Sequence, residues 1–180
     1  MDEVLNEWAD VTRLHEHHPR LRAADWRSPL VRRLLDSDRY RDGQKAVETL
    51  YRAAENNEAA VSGCLLHWNG LTEDFRKCTA TYQTAVITEF ATLGLACILV
   101  AHCPGLEITE VTRRGDKADY WLGDKELLLE VSGEQTGSID EMCAKKAEQL
   151  LQNPFGKGGY VCVAVYANAS ARLRFYRAGS

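Results

Sequence analysis

Two acidic residues stand at the edges of short apolar runs in the segment "ADYWLGDKELLLEVSGEQTG", residues 118–137. Asp119 lies in "ADYWL" and Glu130 in "LLLEVSG". Divalent cations such as Mg²⁺ and Mn²⁺ prefer carboxylate oxygens, and neighbouring strands can hold two carboxylates at one edge of a sheet. Such an ion activates water and stabilises the charge that builds on a phosphorus atom. Two isolated acids leave two alternatives open: a Mg²⁺ or Mn²⁺ site at the sheet edge, or two solvated carboxylates at strand ends.

Two further charged residues occur where apolar side chains are expected. Glu89 interrupts an apolar helix beside Phe90 and Leu93, where an unpaired charge is costly, so a cation should meet it. A salt bridge on the helix face is the alternative. At about 100° per residue, Lys146 falls near the centre of the apolar face of a second helix, while Lys145 points away. Lys146 either makes a structural contact with a carboxylate or positions the attacking water and neutralises a phosphate.

The elements that carry these residues follow one another in a mixed order. From Thr79 the pattern predicts a helix, three strands, a helix and two strands, at residues 79–103, 106–114, 118–122, 126–132, 138–153, 160–167 and 171–177. Ser138 and Glu141 form a capping box for the second helix. Residues 1–78 are typical of helices, except for 59–70, which fit a helix or a short buried strand. The prediction is an α/β fold, with an N-terminal helical extension (1–78) and a core of a small sheet between helices (79–180).

The composition restricts the class of protein. The 180 residues include 45% apolar and 27% charged side chains, as in ordinary globular proteins. The sequence shows no run of eighteen apolar residues and no signal-peptide core at its start, so we expect a cytoplasmic protein without a membrane span. Six cysteines without a CxxC pair argue against a zinc finger, and we expect them to be reduced and mostly buried.

The net charge of −4 argues mildly against a non-specific nucleic-acid-binding protein, but it leaves room for local basic patches. Arg113, Arg114 and Lys117 come just before Asp119, where they could follow a nucleic-acid backbone near the metal. A second group of arginines lies on the second and third predicted helices. This group is either a phosphate-contacting surface or an ordinary charged face, and it consists of Arg27, Arg32, Arg33, Arg39 and Arg41.

Residues 79–177 resemble the restriction-endonuclease-like, or PD-(D/E)XK, nuclease superfamily. Its core order is helix, three strands, helix, strand, with an Asp on the second strand and Glu-x-Lys on the third. Asp119 matches the Asp, Glu130 matches the Glu, and Glu89 matches the acidic residue that several members carry on the first core helix. The chain departs from the pattern at Ser132, which stands in place of the lysine. Some members move this lysine to the second core helix, where Lys146 lies.

The resemblance implies a metal-dependent nuclease with a restriction-endonuclease-like core. Asp119 and Glu130 would hold Mg²⁺ or Mn²⁺, with Glu89 as a direct ligand or a neighbour of the ligands. Lys146 would assist the attack of water on a phosphodiester, which leaves a 5′-phosphate. Gln149 could share that role, and we expect it to contact the nucleic acid, like Arg113, Arg114 and Lys117. We favour DNA as the substrate, and a homodimer or a larger complex is a further expectation. Because Ser132 carries no charge, the alternative is an inactive nuclease fold that serves as a binding or assembly subunit.

Overall fold

One mixed sheet of eight strands organises the described residues of the computed structural model, which are 7–36, 43–53, 60–69 and 71–179. The strands are β1 (Glu7–Asp10), β2 (Gln44–Arg52), β3 (Ala60–His67), β4 (Ile108–Val111), β5 (Tyr120–Leu122), β6 (Leu127–Glu134), β7 (Gly159–Val165) and β8 (Ser170–Tyr176). The α-helices are α1 (Leu14–His17), α2 (Arg27–Leu34), α3 (Thr72–Thr81), α4 (Thr84–His102) and α5 (Ile139–Leu151). Two short 3-10 helices, Val11–Arg13 and Ala23–Trp26, complete the described elements.

The strand order across the sheet is β1-β3-β2-β8-β7-β6-β5-β4. Three neighbouring pairs are parallel, namely β1 with β3, β2 with β8, and β6 with β7. The other four pairs are antiparallel, so β4, β5 and β6 form a meander at one side of the sheet. A mixed sheet with helices on its faces is an α/β architecture, as the sequence predicted at this coarse level.

The element order predicted from Thr79 onward is confirmed. Helices α3 and α4, strands β4 to β6, helix α5 and strands β7 and β8 follow one another in the expected sequence. The predicted first helix divides between α3 and α4, since Tyr82 is extended and ends α3. Ser138 is the N-cap of α5, and its hydroxyl accepts a hydrogen bond from the Glu141 amide (3.4 Å).

The prediction that residues 1–78 are helical is wrong for β1 and β2. Strand β3 lies within residues 59–70, for which a short buried strand was one of the two predicted alternatives. Strand β2 lies where a helix was predicted, because its sequence fits both the helical period of about 3.6 residues and the two-residue period of a strand. Val47, Leu50 and Tyr51 follow helical spacing, whereas the buried residues Lys45, Val47 and Thr49 alternate as in a strand. Pairing with β3 and with β8, which is far away in the sequence, selects the strand. The described N-terminal strands extend the same sheet that carries β4 to β8.

Helices α4 and α5 pack on opposite faces of the sheet. Leu129 of β6 and Cys162 of β7 belong to the larger core cluster, together with residues of α2 and α4. Their neighbours Leu128 and Val161 point to the other face and pack with residues of α5. The side chains of β6 therefore alternate between the two helices, which decides the direction in which Glu130 points.

Helix α4 is the central helix of the larger core. By length and composition it is the one described helix that could cross a membrane, with 67% of its most apolar window buried within the protein. Residues 91–100 are all buried, against the sheet and α2. None of the six cysteines, all of which lie in the described part of the chain, forms a disulfide, and all except the half-buried Cys103 are buried, as predicted.

Candidate functional site

The candidate site forms where the meander opens away from β6. Strand β5 pairs only with residues 127–129 of β6, and beyond this point β6 pairs with β7 alone. Asp119 lies immediately before β5, and its amide donates a hydrogen bond to the Leu129 carbonyl (2.9 Å). Its Oδ2 accepts a hydrogen bond from the Val131 amide (2.7 Å). The Asp119 side chain thus accepts the next hydrogen bond along β6 after the last β5 pairing. These bonds hold it where β5 and β6 separate.

Glu130 lies inside β6, and its side chain points towards α5. It is completely buried, and Lys146 Nζ donates to its Oε1 at 2.6 Å. The side-chain amide of Gln149 donates from Nε2 to the same oxygen at 2.8 Å. Lys146 and Gln149 are also within 3.4 Å of one another, one turn apart on α5. The structure thus brings the lysine and both predicted acids to one place.

The second oxygen of Glu130 has different surroundings. Oε2 is buried and has no hydrogen-bond donor among the described residues. The Asp119 carboxyl group lies near enough to Glu130 to raise its pKa, because two neighbouring ionised carboxylates repel each other. Lys146 balances one of the two negative charges, and a proton or a further cation on the pair would balance the other.

The pKa values of both acids are raised. Burial is the main cause for Glu130, and with the nearby charge of Asp119 it raises the pKa of Glu130 to about 7, against the opposing effect of Lys146. Burial also raises the pKa of Asp119, although the hydrogen bond from the Val131 amide opposes this rise. Because Glu130 releases its proton near neutral pH, this carboxyl group is suited to exchange a proton for a metal ion.

A cleft of about 430 Å³ reaches the pair from solvent at Asp119, while Glu130 lies buried behind the lining residues. Asp119 and Lys146 line it, together with Ser132 on β6 and Glu89 on α4. Glu89 is exposed and forms no ion pair with any other described residue. The expectation that a cation meets Glu89 inside an apolar helix is therefore wrong for the described residues, because this position of α4 faces the cleft and not the core.

Ser132 and Gly133 form the wall of the cleft beyond the acidic pair. Alternation along β6 places Ser132 on the same face as Glu130, and Gly133 on the face of α4. A Cβ at Gly133 would lie 1.9 Å from the Thr92 hydroxyl, so only glycine allows α4 to approach this closely. Thr92 is buried and bonds to Tyr166 (3.0 Å). This contact was not predicted from the sequence, where its only signal is a glycine near the end of a strand.

The predicted nucleic-acid contacts have two different settings. Arg113, Arg114 and Lys117 are exposed in the loop between β4 and β5 that leads to Asp119. Gln149 is instead half-buried and committed to Glu130. Its position favours a role in orienting the carboxylate rather than contact with a nucleic-acid backbone, while the role of the exposed loop stays a prediction.

The chemistry of the site fits a hard cation in part. In the described parts of the chain, no three His, Cys, Asp or Glu side chains converge on one point, so Glu89 does not complete a ligand set with Asp119 and Glu130. Mg²⁺ in proteins keeps several waters and binds substrate phosphate, so one or two carboxylates are enough to hold it. Asp119 and Glu130 could supply these ligands, and one oxygen of Glu130 is buried without a hydrogen-bond donor among the described residues. Lys146 already neutralises one oxygen of Glu130 and would share that carboxylate with the ion.

Comparison of the chain with models of protein families, with characterised proteins and with solved structures finds no match.

Proposed function

We propose that the chain is a metal-dependent nuclease that hydrolyses phosphodiester bonds of nucleic acid, with DNA as the expected substrate. The observation that carries the proposal is the contact of 2.6 Å between Lys146 on α5 and Glu130 on β6, with Asp119 beside them at the opening of the sheet. An ammonium group lies beside two carboxylates whose pKa values are raised, and Asp119 and Lys146 open onto a cleft. This combination of groups is suited to hydrolysis.

The resemblance to the PD-(D/E)XK superfamily supports the proposal at the level of elements. Helix α4, strands β4 to β6, helix α5 and strand β7 follow the order of its core. Asp119 immediately precedes the second strand of this set, and Glu130 lies on the third. Lys146 supplies from α5 the amine that Ser132 lacks, which supports a lysine relocated to the second core helix.

Each residue has a distinct task in the proposed reaction. When bound, Mg²⁺ or Mn²⁺ would activate water and stabilise charge on the phosphorus atom. Asp119 and Glu130 would hold the ion, and Gln149 keeps the Glu130 carboxylate in its orientation. Lys146 is partly exposed to the cleft, so its ammonium group can position the attacking water or neutralise a phosphate oxygen.

Cleavage of labelled single-stranded and double-stranded DNA, and of RNA, in Mg²⁺ or Mn²⁺ tests the proposal. We expect products with 5′-phosphate ends, and loss of cleavage by at least about 100-fold in Asp119→Ala and Glu130→Ala. Absence of cleavage of every substrate, or unchanged rates in both variants, would overturn the assignment. Cytoplasmic location and assembly as a homodimer or in a larger complex stay predictions.

The alternative is an inactive nuclease fold that acts as a binding or assembly subunit. Ser132 favours it, and so does the ion pair, because Lys146 supplies the positive charge that a metal would otherwise bring to Glu130. Calorimetric titration with Mn²⁺ separates the two. Saturable binding that is lost in Glu130→Ala supports the nuclease, whereas no binding to the wild-type protein supports the inactive fold.

A further inference from the structure

A second cavity, of about 360 Å³, lies next to the cleft of the acidic pair. Thr84 lines the second cavity and Ala85, the next residue of α4, lines the first. In the same way Gln135 lines the second cavity, two residues after Gly133 in the wall of the first. The two cavities therefore sit side by side along the start of α4 and the end of β6.

The described linings of the two cavities carry opposite charges. Glu89 and Asp119 outnumber Lys146 in the first cleft, which is thus acidic. In the second cavity, Arg32 and Arg33 share one carboxylate, that of Asp36, so one positive charge remains. An acidic cleft next to a basic cavity suits a polyanion such as a nucleic acid. One phosphate would lie at a cation bound in the first cleft, and the neighbouring phosphate would contact an arginine of the second cavity.

The two arginines differ in accessibility. Arg33 is 7% exposed, and its guanidinium donates to the Thr84 carbonyl (3.0 Å) and to Gln135 (3.2 Å), with its buried Nε unpaired. The side chain of Arg32 is 33% exposed, and its Nε donates to the Thr79 hydroxyl at 3.2 Å. Arg33 therefore fixes the wall of the cavity, whereas Arg32 presents guanidinium donors to solvent in a held position.

An aromatic ring stands at the same cavity. Tyr82 lines it and is 42% exposed, one of the few large apolar side chains of the described residues that reach the surface. The ring packs edge-on against Phe90, with 5.6 Å between centroids and an interplanar angle of 79°. This contact holds the ring while part of it stays open to solvent. Exposed aromatic rings beside basic groups are the usual platform for unpaired bases.

We propose that the second cavity binds the nucleotide next to the scissile phosphodiester, with its phosphate on Arg32 and its unpaired base on Tyr82. This inference rests on the proposed nuclease function and deepens it, because it names the substrate class. A base within a duplex cannot stack on a protein ring, so the favoured substrate carries an unpaired nucleotide beside the cleavage point. Single strands and duplexes with a single-stranded end are such substrates.

Fluorescence anisotropy with 5′-fluorescein-labelled dT12 in EDTA tests the site without cleavage. We expect dT12 to bind more tightly than a blunt duplex of the same length. Tyr82→Ala should weaken binding of dT12 by about 10-fold, while Tyr82→Phe keeps the ring and stays within about twofold of wild type. Phe155→Ala is the matched control, because Phe155 is equally exposed but packs on Trp121, outside the residues that line either cavity.

The salt dependence of binding tests Arg32 separately from any effect on folding. Loss of one phosphate contact lowers the slope of log K against log salt by about 0.7 for a single strand. We expect this change in Arg32→Ala and no change in Arg22→Ala, whose side chain is exposed in an ion pair with Asp25. Circular dichroism of each variant serves as the control for folding.

The outcomes distinguish this site from the nuclease proposal. Binding of dT12 by Tyr82→Ala within twofold of wild type, or tighter binding of the blunt duplex, overturns the second site even if the protein cleaves DNA. Tyr82-dependent binding without cleavage in Mn²⁺ supports the second site and overturns the nuclease proposal. Failure of the wild-type protein to bind dT12 overturns the second site.

Discussion

At the scale of single residues, Glu130 is the side chain on which the candidate site depends. It is fully buried, and one oxygen takes both donors from α5 while the other has none. Such a group is costly to ionise, which is why its pKa rises to about 7 despite the adjacent ammonium group of Lys146. Protonation of Glu130 therefore competes with any cation for the free oxygen.

The raised pKa predicts a specific dependence of folding stability on pH. Between about pH 4.5, the ordinary value for glutamate, and pH 7, the folded protein binds a proton that the unfolded chain releases. Glu130 therefore stabilises the fold fully below this window, and about 3 kcal/mol of stability is lost progressively as the pH rises from about 4.5 through 7. Urea unfolding in EDTA at pH 5, 6, 7 and 8 measures this loss in the wild type and in Glu130→Gln, which should lack most of it.

The difference between the two proteins isolates Glu130 from other titrating groups, including Asp119, whose pKa is also raised by burial. Parallel stability curves for wild type and Glu130→Gln would show that Glu130 has the same pKa in the folded and unfolded protein. That result would contradict the buried, metal-free carboxylate pair.

The residues of the site differ in how far they could be predicted from the sequence. Asp119 and Glu130 were visible as acids within apolar runs, and Lys146 as a cation on an apolar helix face. Each signal is local, because a charged residue within an apolar strand or helix face can be recognised from the few residues around it. The contact of Thr92 with Gly133 joins α4 to β6 across 41 residues of sequence and leaves no local pattern.

At the scale of elements, the close packing of α4 on β6 decides the shape of the cleft. Gly133→Ala would place a methyl group 1.9 Å from the Thr92 hydroxyl, which is already bonded to Tyr166. We expect a loss of about 1–3 kcal/mol in the free energy of unfolding from overpacking, measured by urea denaturation. Thr92→Ala in the same chain should recover part of the loss, since it removes the closest atom.

Gly63→Ala on β3 is the matched control for this glycine. A Cβ there has no atom within 4 Å, so the stability should be unchanged or higher by up to about 1 kcal/mol. Equal effects of Gly63→Ala and Gly133→Ala would contradict the close approach of α4 and β6.

The strands of the N-terminal part show what sequence patterns leave open. The second half of the chain was predictable because its helices and strands carry distinct periods, as in the continuous apolar run of β7, all of whose residues are buried. In β2 the same residues satisfy both periods, and the decision is made by β8, about 120 residues further along the chain. Non-local pairing of this kind has no signature in the segment itself.

At the scale of the whole molecule, the N-terminal part belongs to the same sheet as the candidate site. Strand β2 pairs with β8, and Leu30, Val31 and Leu34 of α2 share the core of α4. A fragment of residues 79–180 would lose these partners and expose the edge of β8. We expect the fragment to show no cooperative thermal unfolding by circular dichroism. A fragment that unfolds cooperatively would contradict this dependence and support the division at residue 79.

The rate of DNA cleavage in Mn²⁺ by a matched pair of lysine variants tests the central claim most directly. Lys145 and Lys146 are neighbours on α5, but Lys145 is exposed and only Lys146 contacts Glu130. With folding of both variants checked by thermal unfolding, Lys146→Met should cleave at least about 100-fold more slowly than wild type. Lys145→Met should stay within about twofold of wild type. Equal rates in the two variants, or no cleavage by the wild-type protein, would contradict a hydrolytic site built from Asp119, Glu130 and Lys146.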